Sequence, residues 1–497
     1  MDTLRYYLGL EAASRRQPPK VETDDVYQVH FLDDLPSYRA MVLSWTLRFN
    51  DVLDAEKLHN ALVKLLEIGD WRKLGGRVRA RPDGKLEIHV PKEFTPERPA
   101  VRYTRDVFNI SIGEHPLASQ LPRAAETPSL HPGAFHFRSF GASADAPTTL
   151  KEFLCSDEPQ LALHITSFSD ATLVGLLFPH IMTGALGQRD LVAAWSKVLA
   201  GREDEVPPLE GTREDVLNGA GTDADNDQEL SVLATKELKG FALLKFTLRF
   251  MWDVFRHPSI ESGMICLPPT FVSKLRQTAL GDLRAQIGGP KAAFVSEGDV
   301  LTAWATRFIA KTRGGLRPAT IYNAVDIRRR VKAAWVPGAA YVQNLTLSSY
   351  TMMSVADFLH MPLGMLAYMI REDLQRQATD AQLRTSMRRL RAGGRKYQGP
   401  LYGEPDSLLV IFSNWTKANL YEVIDFAPAV IESSSVGGQE MPRGKAVYMH
   451  SQPMVPSAWT RNVFNIVGKD LSGNYWITAL LLPGDWQKLE EEIAKMS

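Results

Sequence analysis

The sequence predicts an α/β protein made of two similar-sized domains. A chain of 497 residues is too long for one ordinary core. Strand-like and helix-like runs alternate in both halves, and residues 204–230 between them are rich in Pro, Gly, Asp and Asn. We therefore predict an N-terminal domain at 1–205, a linker or crossover at 206–235 and a C-terminal domain at 236–497.

The first elements are predicted from periodicity and turn residues. Residues 26–48 alternate apolar and polar side chains, which indicates strands. Leucines at helical spacing predict a helix over 53–69, with Asp54 as its N-cap. Two strand-like runs within 75–91 are joined by Pro-Asp-Gly, which predicts a hairpin.

The next elements lead to one histidine. Residues 161–170 and 171–181 predict a buried hairpin that ends at His180, and 190–203 predicts a helix that ends at Gly201. A lone histidine after an apolar strand and before a glycine-rich turn is a common way to present a general base at a cleft. Imidazole suits that role because its pKa lies near neutral pH.

The second half repeats the alternation of elements. Residues 241–255 predict a helix that buries its aromatic side, because Lys245 and Arg249 interrupt the apolar run. The other predicted elements are a helix at 296–312, a strand at 319–331, one or two amphipathic helices at 357–394 and a buried strand at 407–415.

Composition limits the partners. The chain has 57 basic and 57 acidic side chains, so charge gives no reason to expect nucleic acid or an anionic membrane as the main partner. No apolar run has the length of a membrane span, and the N-terminus lacks the apolar core of a secretory signal. No cluster of Cys and His residues has the spacing of metal ligands. The two cysteines, Cys155 and Cys266, lie far apart in sequence, and we expect them to be buried thiols in a reducing compartment. We expect a cytoplasmic monomer that holds no metal and acts on a small molecule.

An ordered set of segments resembles the BAHD-type acyltransferases, in particular the fungal branch with the trichothecene acetyltransferases. The matching segments are GGRVRARPDGKLEIHVP at 75–91, FPHIMTGALG at 178–187, NAVDIRRR at 323–330, AYVQN at 340–344 and FSNWTKANLYEVIDFAPA at 412–429.

The resemblance implies the two-domain fold of chloramphenicol acetyltransferase, with a channel between the halves and His180 midway along it. Acyl-CoA would enter from one side as a co-substrate, with no permanently bound cofactor. The acceptor would be a hydroxyl or amine of a small natural product, as in fungal secondary metabolism. Its substrate-contact positions correspond to Ser413, Asn414, Lys417 and Asn344.

Two positions depart from the motifs of this family. Gly184 replaces the aspartate of His-x-x-x-Asp, and Arg328, the arginine that would pair with it, is expected to pair with Asp326 or to reach solvent. Asp425 begins an Asp-Phe-Ala-Pro-Ala run in place of Asp-Phe-Gly-Trp-Gly, and Pro428 has no N–H to donate. We assign Gly184, Arg328 and Asp425 structural roles, and we expect Ser413 or Asn414 to supply the missing donor to an oxyanion.

These departures leave two classes of function open besides a silent binding protein. The first is CoA-dependent acyl transfer with His180 as general base. The second is a non-acylating cyclase, pericyclase or isomerase that acts on a natural-product intermediate in the same channel without CoA. Binding of CoA discriminates between them.

Overall fold

A computed structural model describes residues 17–222, 229–288, 294–313, 317–333, 335–394, 399–433, 442–457 and 459–496. Within these ranges the chain is a mixed α/β structure, as predicted. The part of the predicted linker at 223–228 lies outside the described residues. No helix in the described ranges is long and apolar enough to cross a membrane.

The strands and helices follow one another in both halves. The strands are β1 Asp25–Gln28, β2 Val42–Phe49, β3 Asp51–Leu53, β4 Arg77–Ala80, β5 Leu86–Val90, β6 Arg102–Val107, β7 Ser129–Pro132, β8 Ala162–Ser167, β9 Thr172–Pro179, β10 Glu261–Leu267, β11 Ala319–Asp326, β12 Thr346–Met353, β13 Leu408–Asn414, β14 Val430–Ser433, β15 Tyr448–Pro453, β16 Val463–Lys469 and β17 Tyr475–Leu481. The helices are α1 Pro36–Arg39, α2 Ala55–Leu65, α3 Leu150–Leu154, α4 Ala185–Leu199, α5 Gly240–Arg256, α6 Pro269–Ile287, α7 Glu297–Thr312, α8 Val355–His360, α9 Leu363–Gln377, α10 Asp380–Ala392, α11 Leu420–Val423 and α12 Pro483–Met496.

The first large sheet positions the histidine. Its strand order is β15-β2-β9-β8-β6, and β9 lies between two antiparallel neighbours. Every residue of β2 and β9 is buried. β9 is apolar on both faces, whereas β2 alternates apolar residues with buried Ser44, Thr46 and Arg48. β9 ends at Pro179, so His180 leaves the sheet at a fixed point. The predicted hairpin of β8 and β9 is confirmed.

The second large sheet has the order β12-β11-β13-β16-β17-β10-β7. Helices α6, α7 and α9 pack on one of its faces, where alternate strand residues such as Val410 and Phe412 join the core. The two halves exchange strands: β7 joins this second sheet, whereas β15 joins the first. The division at 206–235 therefore stays a prediction about folding units.

Several local expectations are confirmed and others are wrong. Asp54 caps α2 by accepting from the Lys57 amide, as predicted. Helix α4 begins at Ala185 rather than at 190, and the 357–394 region contains three helices, from α8 to α10. Helix α5 exposes most of its aromatic side chains instead of burying them. Periodicity predicts a helix correctly but does not say whether a partner covers its apolar face.

Candidate active site

His180 lies at the turn between β9 and α4. Its backbone amide donates to the Met41 carbonyl at 2.9 Å, which ties the turn to the start of β2. The flanking Pro179 and Ile181 are buried, whereas His180 keeps a partial exposure. His180 is therefore partly exposed in this turn, while its ring nitrogen Nδ1 is buried.

Tyr38 packs against the histidine ring. The two ring centroids are 4.5 Å apart, with 32° between the planes. Burial raises the pKa of Tyr38, and the neighbouring Tyr322 and Asp33 add to that rise. The aromatic contact restricts the rotation of the His180 ring. Tyr322 belongs to β11, so the second sheet also borders the site.

Asn344 connects the histidine turn to a buried carboxylate. Its Nδ2 donates to the His180 carbonyl at 2.8 Å and to Asp33 Oδ1 at 2.9 Å, while its backbone amide donates to the same Oδ1 at 2.7 Å. Asn344 is 1% exposed and Asp33 is 3% exposed. Because both groups are desolvated, these bonds hold the turn firmly.

Gly184 leaves the space that Asn344 occupies. A Cβ at position 184 would lie 3.0 Å from Asn344 Oδ1, which is tighter than an ordinary contact. The glycine has φ −107° and ψ −173°, an extended conformation that any residue adopts. Space, rather than backbone freedom, therefore accounts for the glycine. Asn344 therefore links the His180 turn to Asp33 on the side where a larger residue at 184 would lie.

The electrostatics of the site keep the imidazole neutral. Burial lowers the pKa of His180 to about 4, and the backbone carbonyls of His180 and Thr183 and the Asn344 side chain oppose that shift. None of these groups is placed well enough to form a direct hydrogen bond with Nδ1. Burial also raises the pKa of Asp33 to about 6, against the opposing effects of Lys73 and of the hydrogen bonds from Asn344. A neutral imidazole is the form that accepts a proton, but a pKa of about 4 lies below the near-neutral value expected from the sequence.

Arg328 supports the segment that carries Asn344. Its guanidinium donates to Asp326 Oδ1 at 2.8 Å and to the carbonyls of Tyr341 and Gln343 at 3.1 and 3.0 Å. Asp190 of α4 accepts from the Tyr341 amide at 3.1 Å, so α4 is tied to the same segment. The arginine therefore has a carboxylate partner within its own turn.

The four remaining predicted positions lie on β13 and the turns that follow it. Ser413 Oγ accepts from the Trp415 indole at 2.9 Å. Asn414 Oδ1 accepts from the amide and hydroxyl of Thr416. Lys417 is exposed, and Asp425 Oδ1 accepts from the Ala427 amide at 3.2 Å. No hydrogen bond joins these four side chains to His180 among the described residues, so their roles stay predictions.

Sequence reasoning did not identify Asp33 and Tyr38. Both lie in the 26–48 region, which alternation assigned to strands, but they fall in the turn and short helix between β1 and β2. A buried aspartate in an ordinary turn has no local signature, because its partner Asn344 is more than 300 residues away in sequence. In the part of the chain that the structure describes, no group of His, Cys, Asp or Glu is arranged to hold a metal ion.

Comparisons with known proteins show the family and the fold of the chain. Residues 146–428 match the profile described as Transferase family. The chain is 45% identical to acetyltransferase pyiB of Pyricularia grisea over 96% of this chain and 95% of that protein. It is 38% identical to acetyltransferase BOT5 of Botryotinia fuckeliana over 95% and 90% of the two chains. A solved structure of F. graminearum TRI101, complexed with coenzyme A and T-2 mycotoxin, superposes with a TM-score of 0.65 at 16% identity over 95% of this chain and 98% of that one. The predicted two-domain architecture is thereby confirmed.

Proposed function

This chain belongs to the Transferase family, and we propose that it transfers an acyl group from acyl-CoA to a hydroxyl or amine of a small natural product, with His180 as general base. The observation that carries the proposal is the bridge from Asn344 to the His180 turn and to Asp33. The bridge supplies the loop tether whose loss would have favoured a non-acylating reaction. The named relatives are acetyltransferases, which favours acetyl as the transferred group.

The reaction requires one base that acts twice. Neutral His180 takes the proton of the acceptor hydroxyl or amine as its oxygen or nitrogen attacks the thioester carbonyl. The C–S bond then breaks, and the imidazolium returns the proton to the CoA thiolate. A positioned general base of this kind contributes about 10²–10⁴-fold to the rate.

Ser413 is the better of the two proposed oxyanion donors. Tyr322 pairs with Ile411 across β11 and β13, and residues two apart on a strand share a face, so Ser413 lies on the same face as Tyr322. Tyr322 in turn lies close enough to Tyr38 to raise its pKa, and Tyr38 packs on His180. The Ser413 hydroxyl accepts from Trp415 and keeps its own proton to donate.

The proposal is tested by incubating the purified chain with acetyl-CoA and longer acyl-CoA esters and measuring thiol release and CoA binding. His180→Ala is expected to lower turnover about 10²–10⁴-fold while CoA still binds. His131→Ala is the matched control, because His131 is another partly buried histidine with a lowered pKa, on β7. An absence of CoA binding at millimolar ligand would overturn the proposal and favour the cyclase or isomerase reading.

A further inference from the structure

Helix α5 presents a row of large apolar side chains to solvent. The six residues recur every three or four positions, so they form one stripe along the helix. Their exposed fractions range from 48% to 80%, and Phe246 is the residue of the helix that is buried. The stripe consists of Phe241, Leu244, Leu248, Met251, Trp252 and Phe255.

The opposite side anchors the helix to the protein. The ring of Phe250 stacks on Trp459 with centroids 5.9 Å apart. Asp253 forms an ion pair with Arg317 at 2.7 Å, and the Arg461 guanidinium donates to the Asp253 carbonyl at 2.9 Å. The apolar stripe is therefore the outer face of a helix that is fixed in place by its inner face.

Basic side chains border the stripe on one flank. Lys245, Arg249 and Arg256 are exposed and lie within one sector of the helix, next to Trp252. The one acidic residue of α5, Asp253, faces inward and is paired with Arg317. Among the described residues, Lys245, Arg249 and Arg256 form no ion pair with an acidic side chain. An apolar stripe with Trp and Phe, flanked by such Lys and Arg side chains, matches the surface of an anionic lipid bilayer.

A second copy of the chain fits this face less well. A helix of 17 residues is roughly 25 Å long, and a stripe about 10 Å wide covers on the order of 250 Å², whereas a stable dimer buries about 800 Å² per partner. Two such helices packed antiparallel about a two-fold axis would also place their basic flanks on the same side. A bilayer has neither limitation, because it covers the stripe and compensates the charges at once.

We propose that α5 lies in the interface of a membrane with anionic lipids, its stripe inserted and its basic flank at the headgroups, so that the enzyme binds a membrane surface peripherally. The helix does not span the bilayer. This inference does not depend on the acyl-transfer reaction.

The test is sedimentation of the full chain with phosphatidylcholine vesicles that contain or lack phosphatidylserine. We expect binding to the anionic vesicles that weakens as salt is raised. The triple variant Phe241→Ser, Leu248→Ser, Phe255→Ser should lose at least ten-fold in binding. The double variant Lys245→Glu, Arg249→Glu should lose the preference for anionic lipid.

A matched control replaces exposed apolar residues elsewhere, Val107→Ser with Ile431→Ser, and should bind like the unmodified chain. Circular dichroism shows whether each variant is folded, and the salt dependence of the unmodified chain tests the proposal even if a variant does not fold. Equal binding of the triple variant, or an absence of binding to anionic vesicles, would overturn the proposal. A concentration-dependent dimer that the triple variant abolishes would also overturn it, in favour of a second copy as the partner.

Discussion

Replacing Asn344 with alanine tests the bridge that positions the base. The change removes one hydrogen bond to the ionisable Asp33 carboxyl and one to the His180 carbonyl. A bond to a charged group contributes about 1.5–3 kcal/mol and a neutral one about 0.5–1.5 kcal/mol, so the free energy of unfolding should fall by roughly 2–4.5 kcal/mol. Loss of the tether also lets the imidazole move, and a displacement of about 1 Å costs on the order of 10²-fold in kcat.

The assay measures kcat and KM for acetyl-CoA together with denaturant-induced unfolding. Asn474→Ala is a close control, because the Asn474 amide and Nδ2 both donate to the Asp470 carboxylate in the turn before β17. We expect Asn474→Ala to lose stability with kcat unchanged, and Asn344→Ala to lose both with KM nearly unchanged. If Asn344→Ala kept the kcat of the unmodified enzyme, the positioning role would be refuted even if the variant were less stable.

The remaining predictions concern charge, oxyanion stabilisation and space in the site. Burial lowers the pKa values of His180 and His30 to about 4 each. The unfolded chain therefore takes up protons at these two histidines from about pH 6.5 downward, whereas the folded chain takes them up only near pH 4. Their contribution therefore makes the free energy of unfolding fall as pH drops through that window, and denaturant titrations of His180→Ala should show a shallower fall. Ser413→Ala should lower kcat by about 10²–10³-fold with KM unchanged, and an unchanged kcat would exclude it as the oxyanion donor. Arg328→Lys should lower the melting temperature measured by calorimetry. A lysine cannot reproduce the forked hydrogen bonds of the guanidinium to the Tyr341 and Gln343 carbonyls and to Asp326. Gly184→Ala should lower kcat, because the added Cβ would lie 3.0 Å from Asn344 Oδ1. When Gly184→Ala is combined with Asn344→Ala, kcat should fall no further than in Asn344→Ala alone.

The sequence predicts what depends on local pattern. The hairpin of β8 and β9, the cap at Asp54 and the helix at α5 follow from periodicity and capping chemistry, and the structure has all three. The start of α4 was missed because Gly187 indicated a turn. A Cβ there would approach the Thr183 hydroxyl at 2.0 Å and the Val342 backbone at 2.8 Å, so close packing rather than turn formation accounts for that glycine.

The catalytic geometry depends on contacts that no local pattern contains. His180 was identified from a motif, and Asn344 from a family position as a substrate contact. The bonds from Asn344 to the His180 turn and to Asp33 could be found only from the fold, because the three residues come from distant parts of the chain. Likewise, the aspartate missing at 184 suggests a loss from the sequence alone, whereas in the structure the glycine lies beside the Asn344 side chain and a Cβ there would crowd it.

The bridge through Asn344 has a consequence for how the site assembles. Asn344 lies on the segment before β12, in the other half of the chain from His180. The tether of the base therefore forms only when the two halves are packed together, and Arg328 and Asp190 hold the segment that makes it possible. Because Asp33 receives both donors of Asn344, its burial and the position of His180 are coupled. Weakening the contact between the halves should thus displace His180 before it unfolds either sheet, which couples activity to the packing of the two halves.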